Sequence, residues 1–573
     1  MRNTTAQDVP GWRAALLLAL VLLPLFVNLA SPPLWDGSEP FYAETAREMV
    51  VSGDWWVLHY NLEPRWEKPP LPIWLLAASY RIFGVSEWAA RFPIALAAAF
   101  IPLLVYMLGA HLDSRCVGLL AAATTGTAFK FFGFARQYAG DVFLALSFAA
   151  ALYLFSRWEQ SNGLRRGNLR AAWVVVGLGA LVKGPVGVLP VVVGFAYLWA
   201  RRHLRLMNWG IVLEGAALVL LVAVPWYAYQ LGRFGWEYVR VFLLEQNLAR
   251  LVSERLGARP PWFYVPALLA DTLPWSLVLA LAVGDWLWRG KKSCWRESPI
   301  LFPAVWFLVV FLFFSFARGK RDVYLLPLYP ALGLLVGSYL NTALARDQRT
   351  VLAATTSCLA LFALAIAVVG GLVWQWLGSD WGIFLGIVGL LGAVTLIICA
   401  VKRHWVWAWL ASVLLLVISL TTTALALTHL SAYRPIPYFS KIIQQQAQTN
   451  DRVATYLADL PSLMFYTQRR IEPCWTREEF AATLESSARV FAVMPDWVYQ
   501  VAHIDFGQYR WQVLTERPYL QLTSIDLRWL RTRQIGTPLL LVRIESRPAQ
   551  DSSKAYPRTS TPASSSKKRI TAE

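Results

Sequence analysis

Residues 11–50 read GWRAALLLALVLLPLFVNLASPPLWDGSEPFYAETAREMV. An apolar run of about 20 residues, the length an α-helix needs to cross the hydrocarbon core of a bilayer, gives way abruptly to a stretch crowded with acids and bases. The run is long for the apolar part of a secretory signal and no clear small-residue cleavage site follows it, so it reads as a retained helix. The same alternation of apolar run and short polar loop recurs along the chain. Of its 573 residues, 57% are hydrophobic and only 15% charged, and the mean hydropathy is +0.44. These features define a polytopic α-helical membrane protein, with spans expected near 12–30, 88–110, 116–134, 138–156, 171–183, 185–200, 211–231, 262–288, 299–317, 322–341, 350–374, 382–401 and 405–429. That is about 13 helices, the fifth and sixth of them short.

Orientation follows from the basic residues in the short loops. Arg2 and Arg13 precede the first span, and further clusters lie at Arg157/Arg165/Arg166/Arg170, Arg201/Arg202/Arg205, Arg289/Lys291/Lys292/Arg296, Arg346/Arg349 and Lys402/Arg403. With the spans as above, all fall on one side, which places the N-terminus in the cytoplasm and the first loop (31–87) and the C-terminal region outside. The net charge of +18 is then accounted for by topology and by contact with anionic membrane lipids, and it does not argue for a nucleic-acid partner. The five cysteines form no disulfide framework or metal knuckle.

Past Leu430 the long apolar runs stop. Short mixed segments, RVATYLA, SLMFYT, ARVFAVM and TPLLLVRIES, alternate with polar or helical stretches such as REEFAATLESS, which predicts strands and helices of a small extracytoplasmic α/β domain over 431–545. The tail 546–573 is rich in Ser, Thr, Pro and Lys and is expected to be disordered. Residues 1–430 form the expected transmembrane domain, with a second outer loop at 232–261.

The first loop holds most of the candidate chemistry. EPFYAETAREMV has helical spacing with Pro40 near its start, and the prolines of RWEKPPLPIW keep Glu67 and Lys68 on an irregular segment. Asp36 and Glu39 open this loop. Asp141 lies just inside the fourth span, where an ionisable group is costly unless it serves a cavity or a partner, so it is a functional candidate, with an ion pair to Arg136 as the structural alternative. Asp36 has a capping role at the surface helix as its alternative.

Cations that break the inside-positive pattern stand at Arg318, Lys320 and Arg321, at Lys183 in LVKGPVG, and at Arg250. With Lys68, and with Tyr324 as a hydroxyl donor, they could neutralise a phosphate at the membrane surface; lipid headgroup contact is the alternative. Acids and phosphate-binding cations at one bilayer face point to group transfer from a phosphate-linked lipid. No Walker loop, dinucleotide fingerprint or Ser/His/Asp set is present. A transporter would distribute ionisable groups through the depth of several spans, whereas here most sit at one face.

WDGSEPFYAETAREMVVSGDWWV, RWEKPPLPIW, LVKGPVG and FFSFARGKRDVYLLPLYP, in this order over residues 30 to 335, resemble the membrane glycosyltransferases of the GT-C class. The resemblance is to the family holding bacterial aminoarabinose lipid A transferases and protein O-mannosyltransferases. It implies a polyprenyl-phosphate sugar donor, an extracytoplasmic lipid or protein acceptor, inversion at the sugar, and a multi-pass protein of the bacterial plasma membrane. Carried across residue by residue, the acidic loop motif falls on Asp36 to Glu39, the second aspartate on Asp141, and the phosphate-binding Lys, Arg and Tyr on Lys68, Arg250 and Tyr324. Two departures stand out. Ser38 precedes Glu39 where the family commonly has an aspartate, leaving the base to be chosen between Asp36 and Glu39. Asn247 stands where a histidine is frequent, which weakens a possible divalent metal site shared with Glu67.

Overall fold

The computed structural model describes residues 10–138, 140–249, 259–289, 295–520 and 536–546. Arg250 and most of the tail lie outside them. The described chain forms two compact units. One takes the residues up to Ser31, Thr45–His59 and Pro64–Thr428; the other takes Pro32–Glu44, Tyr60–Glu63 and the chain from His429 on. The C-terminal unit is therefore more than a continuous 431–545 segment, since part of the first loop folds with it.

The first unit is helical. Among the described residues, eight stretches are long and apolar enough to cross a membrane: Glu87–Leu112, Gly140–Glu159, Arg166–Arg201, Trp209–Leu248, Asp322–Ala345, Arg349–Trp376, Asp380–Val401 and Trp405–Tyr433. A ninth is the pair Pro261–Asp271 and Trp275–Trp286, bent by 119°. Among the described residues, the other apolar helices are short: Gly11–Phe26, Leu71–Phe83 and Leu301–Phe316. The expected thirteen spans are thus redistributed. The third breaks at Thr127–Ala128 into Arg115–Gly126 and Phe129–Phe134. The fifth and sixth are one stretch interrupted by a 3-10 turn at Gly184–Val188, where Pro185 cannot donate to the ladder. Helix starts follow capping chemistry: the Ser86, Ser114 and Asn208 side chains accept from the backbone N–H of Ala89, Val117 and Ile211.

Two buried arginines fix the chain where the first helix ends. Arg91, 1% exposed, donates to the carbonyl of Leu29 at 2.9 Å. Arg136 donates to the carbonyls of Val27 and Asn28. Val27 caps the C-terminus of helix Gly11–Phe26 and Asn28 and Leu29 follow it, so the two guanidiniums satisfy backbone acceptors just past the helix and anchor the entrance to the first loop.

The C-terminal unit is an α/β fold around a five-stranded sheet. Its strands are β1 (Arg452–Tyr456), β2 (Ile471–Cys474), β3 (Arg489–Pro495), β4 (Tyr509–Tyr519) and β5 (Thr537–Ser546), in the order β2-β1-β3-β5-β4. β1 pairs in parallel with β2 and β3, and β5 runs antiparallel to both β3 and β4. Along β3, Val490, Ala492 and Met494 enter one apolar cluster with Phe480 and Val542, while Phe491 and Val493 enter another with Phe439 and Leu541. A strand covered on both faces reads as a continuous apolar run, which is why ARVFAVM was legible. SLMFYT was not: it is the helix Pro461–Thr467, with Pro461 at its first turn and Gln468 left-handed at its end. REEFAATLE is helical as expected, held by a capping box between Thr476 and Glu479.

Candidate active site

Asp141, Lys183 and Tyr324 come from three separate segments of the helical unit and meet. Asp141 sits in the first turn of helix Gly140–Glu159, and Lys183 is the last residue of helix Arg166–Lys183. Each charge lies where the helix dipole favours its sign. The Lys183 ammonium pairs with Asp141 Oδ1, so the ion-pair partner is Lys183 and not Arg136, the structural alternative. Lys183 Nζ also stands 4.1 Å from the centroid of the Tyr324 ring, a cation–π distance. Its side chain keeps 25% exposure against 13% for Asp141. An ammonium carries three donors, so Lys183 can serve Asp141 and still meet an incoming anion.

Local backbone geometry makes this placement possible. Gly184 has φ +59°, in the left-handed region that glycine enters without penalty, and there the chain turns away from the helix. A Cβ on Gly184 would meet Phe242 at 3.1 Å, with Asn247 Oδ1 at 3.7 Å. Three residues later the turn lies so close to its own helix that a Cβ on Gly187 would sit 2.1 Å from the carbonyl carbon of Gly179. Gly187→Ala is therefore expected to force the turn outward at a cost of about 1–3 kcal/mol. A lowered thermal midpoint of the detergent-solubilised protein would register it; an unchanged midpoint would show that the turn adapts freely.

A second ionic cluster, not anticipated from sequence, shares the 3-10 helix Asp322–Leu328 with Tyr324. Lys130 Nζ lies 2.8 Å from Asp322 and 3.8 Å from the largely buried Asp271. Asp271 occurs in ALLADTLPW, an apolar context; the criterion that marked Asp141 would have marked it too.

The other expected phosphate ligands are less concentrated. Lys68 is half-buried on the irregular segment before helix Leu71–Phe83. Lys320 is 3% exposed and donates to the Ala317 carbonyl. Glu67, the expected metal ligand, is 3.0 Å from Arg65 Nε, and Arg65 also donates to Thr45 Oγ1 at 3.1 Å. Among the described residues no three His, Cys, Asp or Glu side chains gather closely enough to hold a metal ion.

Asp36 and Glu39 belong to the C-terminal unit. Asp36 Oδ1 accepts from the Ser462 N–H at 2.9 Å, near the start of helix Pro461–Thr467, and Oδ2 accepts from the Tyr519 hydroxyl at 2.8 Å. Arg434 lies 3.7 Å from Oδ2, and its guanidinium is 3.7 Å from the Trp35 ring centroid. Asp36 thus caps a helix, but one more than 400 positions away and not the surface helix it precedes. Burial pushes the Asp36 carboxyl above its ordinary range, outweighing the Ser462, Arg434 and Tyr519 contacts. Burial also pushes the Tyr519 phenol up and the Arg434 guanidinium down. Glu39 lies in the first turn of helix Ser38–Ser52, 2% exposed, and accepts from the Trp35 N–H at 2.9 Å.

This architecture has a solved counterpart. ArnT from Cupriavidus metallidurans, in a structure bound to undecaprenyl phosphate, superposes with a TM-score of 0.70 over 93% of this chain and 98% of its own, at 22% identity. The fold is that of ArnT. The ArnT fold is a polytopic membrane architecture of the GT-C type, and the chain resembles the transferases named for aminoarabinose. It is 30% identical over 344 residues to undecaprenyl phosphate-α-4-amino-4-deoxy-L-arabinose arabinosyl transferase 2 of Pseudomonas fluorescens, covering 59% of this chain and 61% of the relative. To the corresponding transferase of Pseudomonas aeruginosa it is 33% identical over 330 residues, covering 56% and 58%. The matches thus span about six tenths of these relatives' length. Residues 67–229 also match the family described as dolichyl-phosphate-mannose-protein mannosyltransferase, a stretch that includes Lys68, Asp141 and Lys183.

Proposed function

We propose that the chain is a glycosyltransferase of the plasma membrane that moves a sugar from a polyprenyl-phosphate donor to an extracytoplasmic lipid acceptor of the lipid A type. The sugar suggested by the relatives' names is 4-amino-4-deoxy-L-arabinose. The observation that carries the reading is the meeting of Asp141, Lys183 and Tyr324. A lysine oriented by a carboxylate and an aromatic face, with its ammonium still reachable, suits the phosphate of a lipid-linked donor.

In a single displacement the acceptor oxygen forms a bond to the anomeric carbon as the bond from that carbon to the phosphate oxygen breaks. The bonding pair leaves with the phosphate, and the anomeric configuration inverts. Lys183, aided by Lys68, Arg250, Lys320 and the Tyr324 hydroxyl, stabilises the charge that develops on the leaving phosphate. Asp36 or Glu39 takes the proton of an acceptor hydroxyl, and Asp141 holds the Lys183 ammonium in place.

The test is transfer by the purified full-length protein in liposomes. With polyprenyl-phosphate aminoarabinose and lipid A, mass spectrometry should find lipid A heavier by one sugar residue. The match to the mannosyltransferase family motivates a parallel arm with polyprenyl-phosphate mannose and a Ser/Thr peptide, where sugar on the peptide would replace the lipid reading with protein O-mannosylation. Donor that crosses the bilayer with no sugar reaching any acceptor would instead make the protein a transporter of lipid-linked sugar.

A further inference from the structure

The acid loop is held by groups that no part of the proposed reaction requires. Three consecutive residues, Leu34, Trp35 and Asp36, are each engaged by the distal half of the chain. The Leu34 N–H donates to the Tyr466 hydroxyl at 2.9 Å. Trp35 lies under the Arg434 guanidinium, and Asp36 accepts from Ser462 and Tyr519. Tyr519 is the last residue of β4, and the next backbone N–H, of Leu520, donates to the carbonyl of Tyr433, beside Arg434. Arg434 and Tyr519 are therefore tied to each other as well as to Asp36.

This investment is poorly explained by stability alone. The side chains of Asp36 and Arg434 are 3% and 4% exposed. Burying two charges costs solvation that their attraction only partly returns, so an apolar set of the same volume would hold the unit at least as well. What hydrogen bonds to both carboxylate oxygens add is direction. With both oxygens bonded the carboxylate is held in this orientation, and the chain enters helix Ser38–Ser52 two residues later. Glu39 is in the first turn of that helix, and its carboxylate is itself bonded to Trp35. The line of contact runs from Tyr519 and Arg434 through Asp36 and Trp35 to Glu39.

We propose that Tyr519 and Arg434 are positioning residues for the acid loop, acting through Asp36 and Trp35 to fix the carboxylate of Glu39. The proposal rests on reading this loop as the acidic part of a glycosyl-transfer site. It gives the C-terminal unit a task in the reaction and divides the two candidate acids, Asp36 being the anchor and Glu39 the group presented.

The test uses the full-length protein and two variants, Tyr519→Phe and the paired replacement Asp36→Leu with Arg434→Met, which removes both buried charges together and so avoids stranding one. Expected for Tyr519→Phe is a fall in kcat of at least about tenfold with donor KM within twofold of wild type. Amide hydrogen exchange from Leu34 to Tyr42 should speed up at least about tenfold in both variants, while the rest of the sheet exchanges as before. Exchange in this segment identical to wild type in both variants overturns the proposal, whether or not transfer is detected. A raised KM at unchanged kcat also overturns it, since that would be a binding defect. Absence of transfer by the wild-type protein would count against the glycosyltransferase reading and leave the exchange result to decide the positioning role.

Discussion

Lys183→Ala is expected to reduce donor-dependent transfer by roughly 10²–10³ in kcat, the usual loss when one preorganised donor to a developing oxyanion is removed. The ammonium has a carboxylate on one side and the Tyr324 ring on the other, so it is ordered before the donor arrives and little reorganisation accompanies reaction. Removing it also leaves the Asp141 carboxylate without its partner where an anion must bind, adding repulsion to lost attraction. Lys183→Arg should recover only part of the activity, because a planar guanidinium does not present donors as a compact ammonium does. Assays with purified protein at saturating donor separate these outcomes. Wild-type kcat in Lys183→Ala, with normal donor affinity, would remove the cluster from the mechanism.

The second large effect concerns the two loop acids, which should behave differently when replaced singly. Glu39→Gln is isosteric and is expected to lower kcat by roughly 10²–10⁴, the range for loss of a general base, with little change in thermal midpoint. Asp36→Asn has a different expected signature. It removes the ion-pair partner of the buried Arg434 guanidinium, and breaking a buried pair on one side costs about 3–5 kcal/mol, so the thermal midpoint should fall along with activity. Calorimetry beside initial-rate measurement resolves the two. A stable, inactive Asp36→Asn together with a fully active Glu39→Gln would reverse the roles and make Asp36 the base.

Much of the helical part was legible in the sequence because it depends on one-dimensional features. The length of apolar runs marks helices, and both Asp141 and Lys183 stood out by violating a simple rule, an acid inside a span for one and a cation on the wrong side for the other. Their pairing was not legible: 42 residues separate them, and the nearer Arg136, the structural alternative as a partner, donates instead to the carbonyls of Val27 and Asn28. Breaks in the helices at Gly184–Val188 and at Thr127–Ala128 were not legible, because local chemistry there interrupts otherwise apolar runs. SLMFYT failed because a short apolar run has no period, and only the flanking Pro461 argued for a helix start. Arg434 and Tyr519 carried no signal at all, since each is a single polar residue, one before a helix and one ending a strand, whose meaning depends on Asp36.

The bond between Asp36 and Tyr519 joins residues 483 positions apart. A ribosome adding about 5–20 residues per second needs on the order of half a minute to a minute and a half to cover that distance. Throughout that interval Asp36 has been made but lacks the Tyr519 hydroxyl, and for most of it Arg434 and Ser462 as well. The first loop of the chain to be synthesised is thus completed late, and a product ending before β4 would carry Arg434, Ser462 and Tyr466 but leave Asp36 Oδ2 without the Tyr519 hydroxyl.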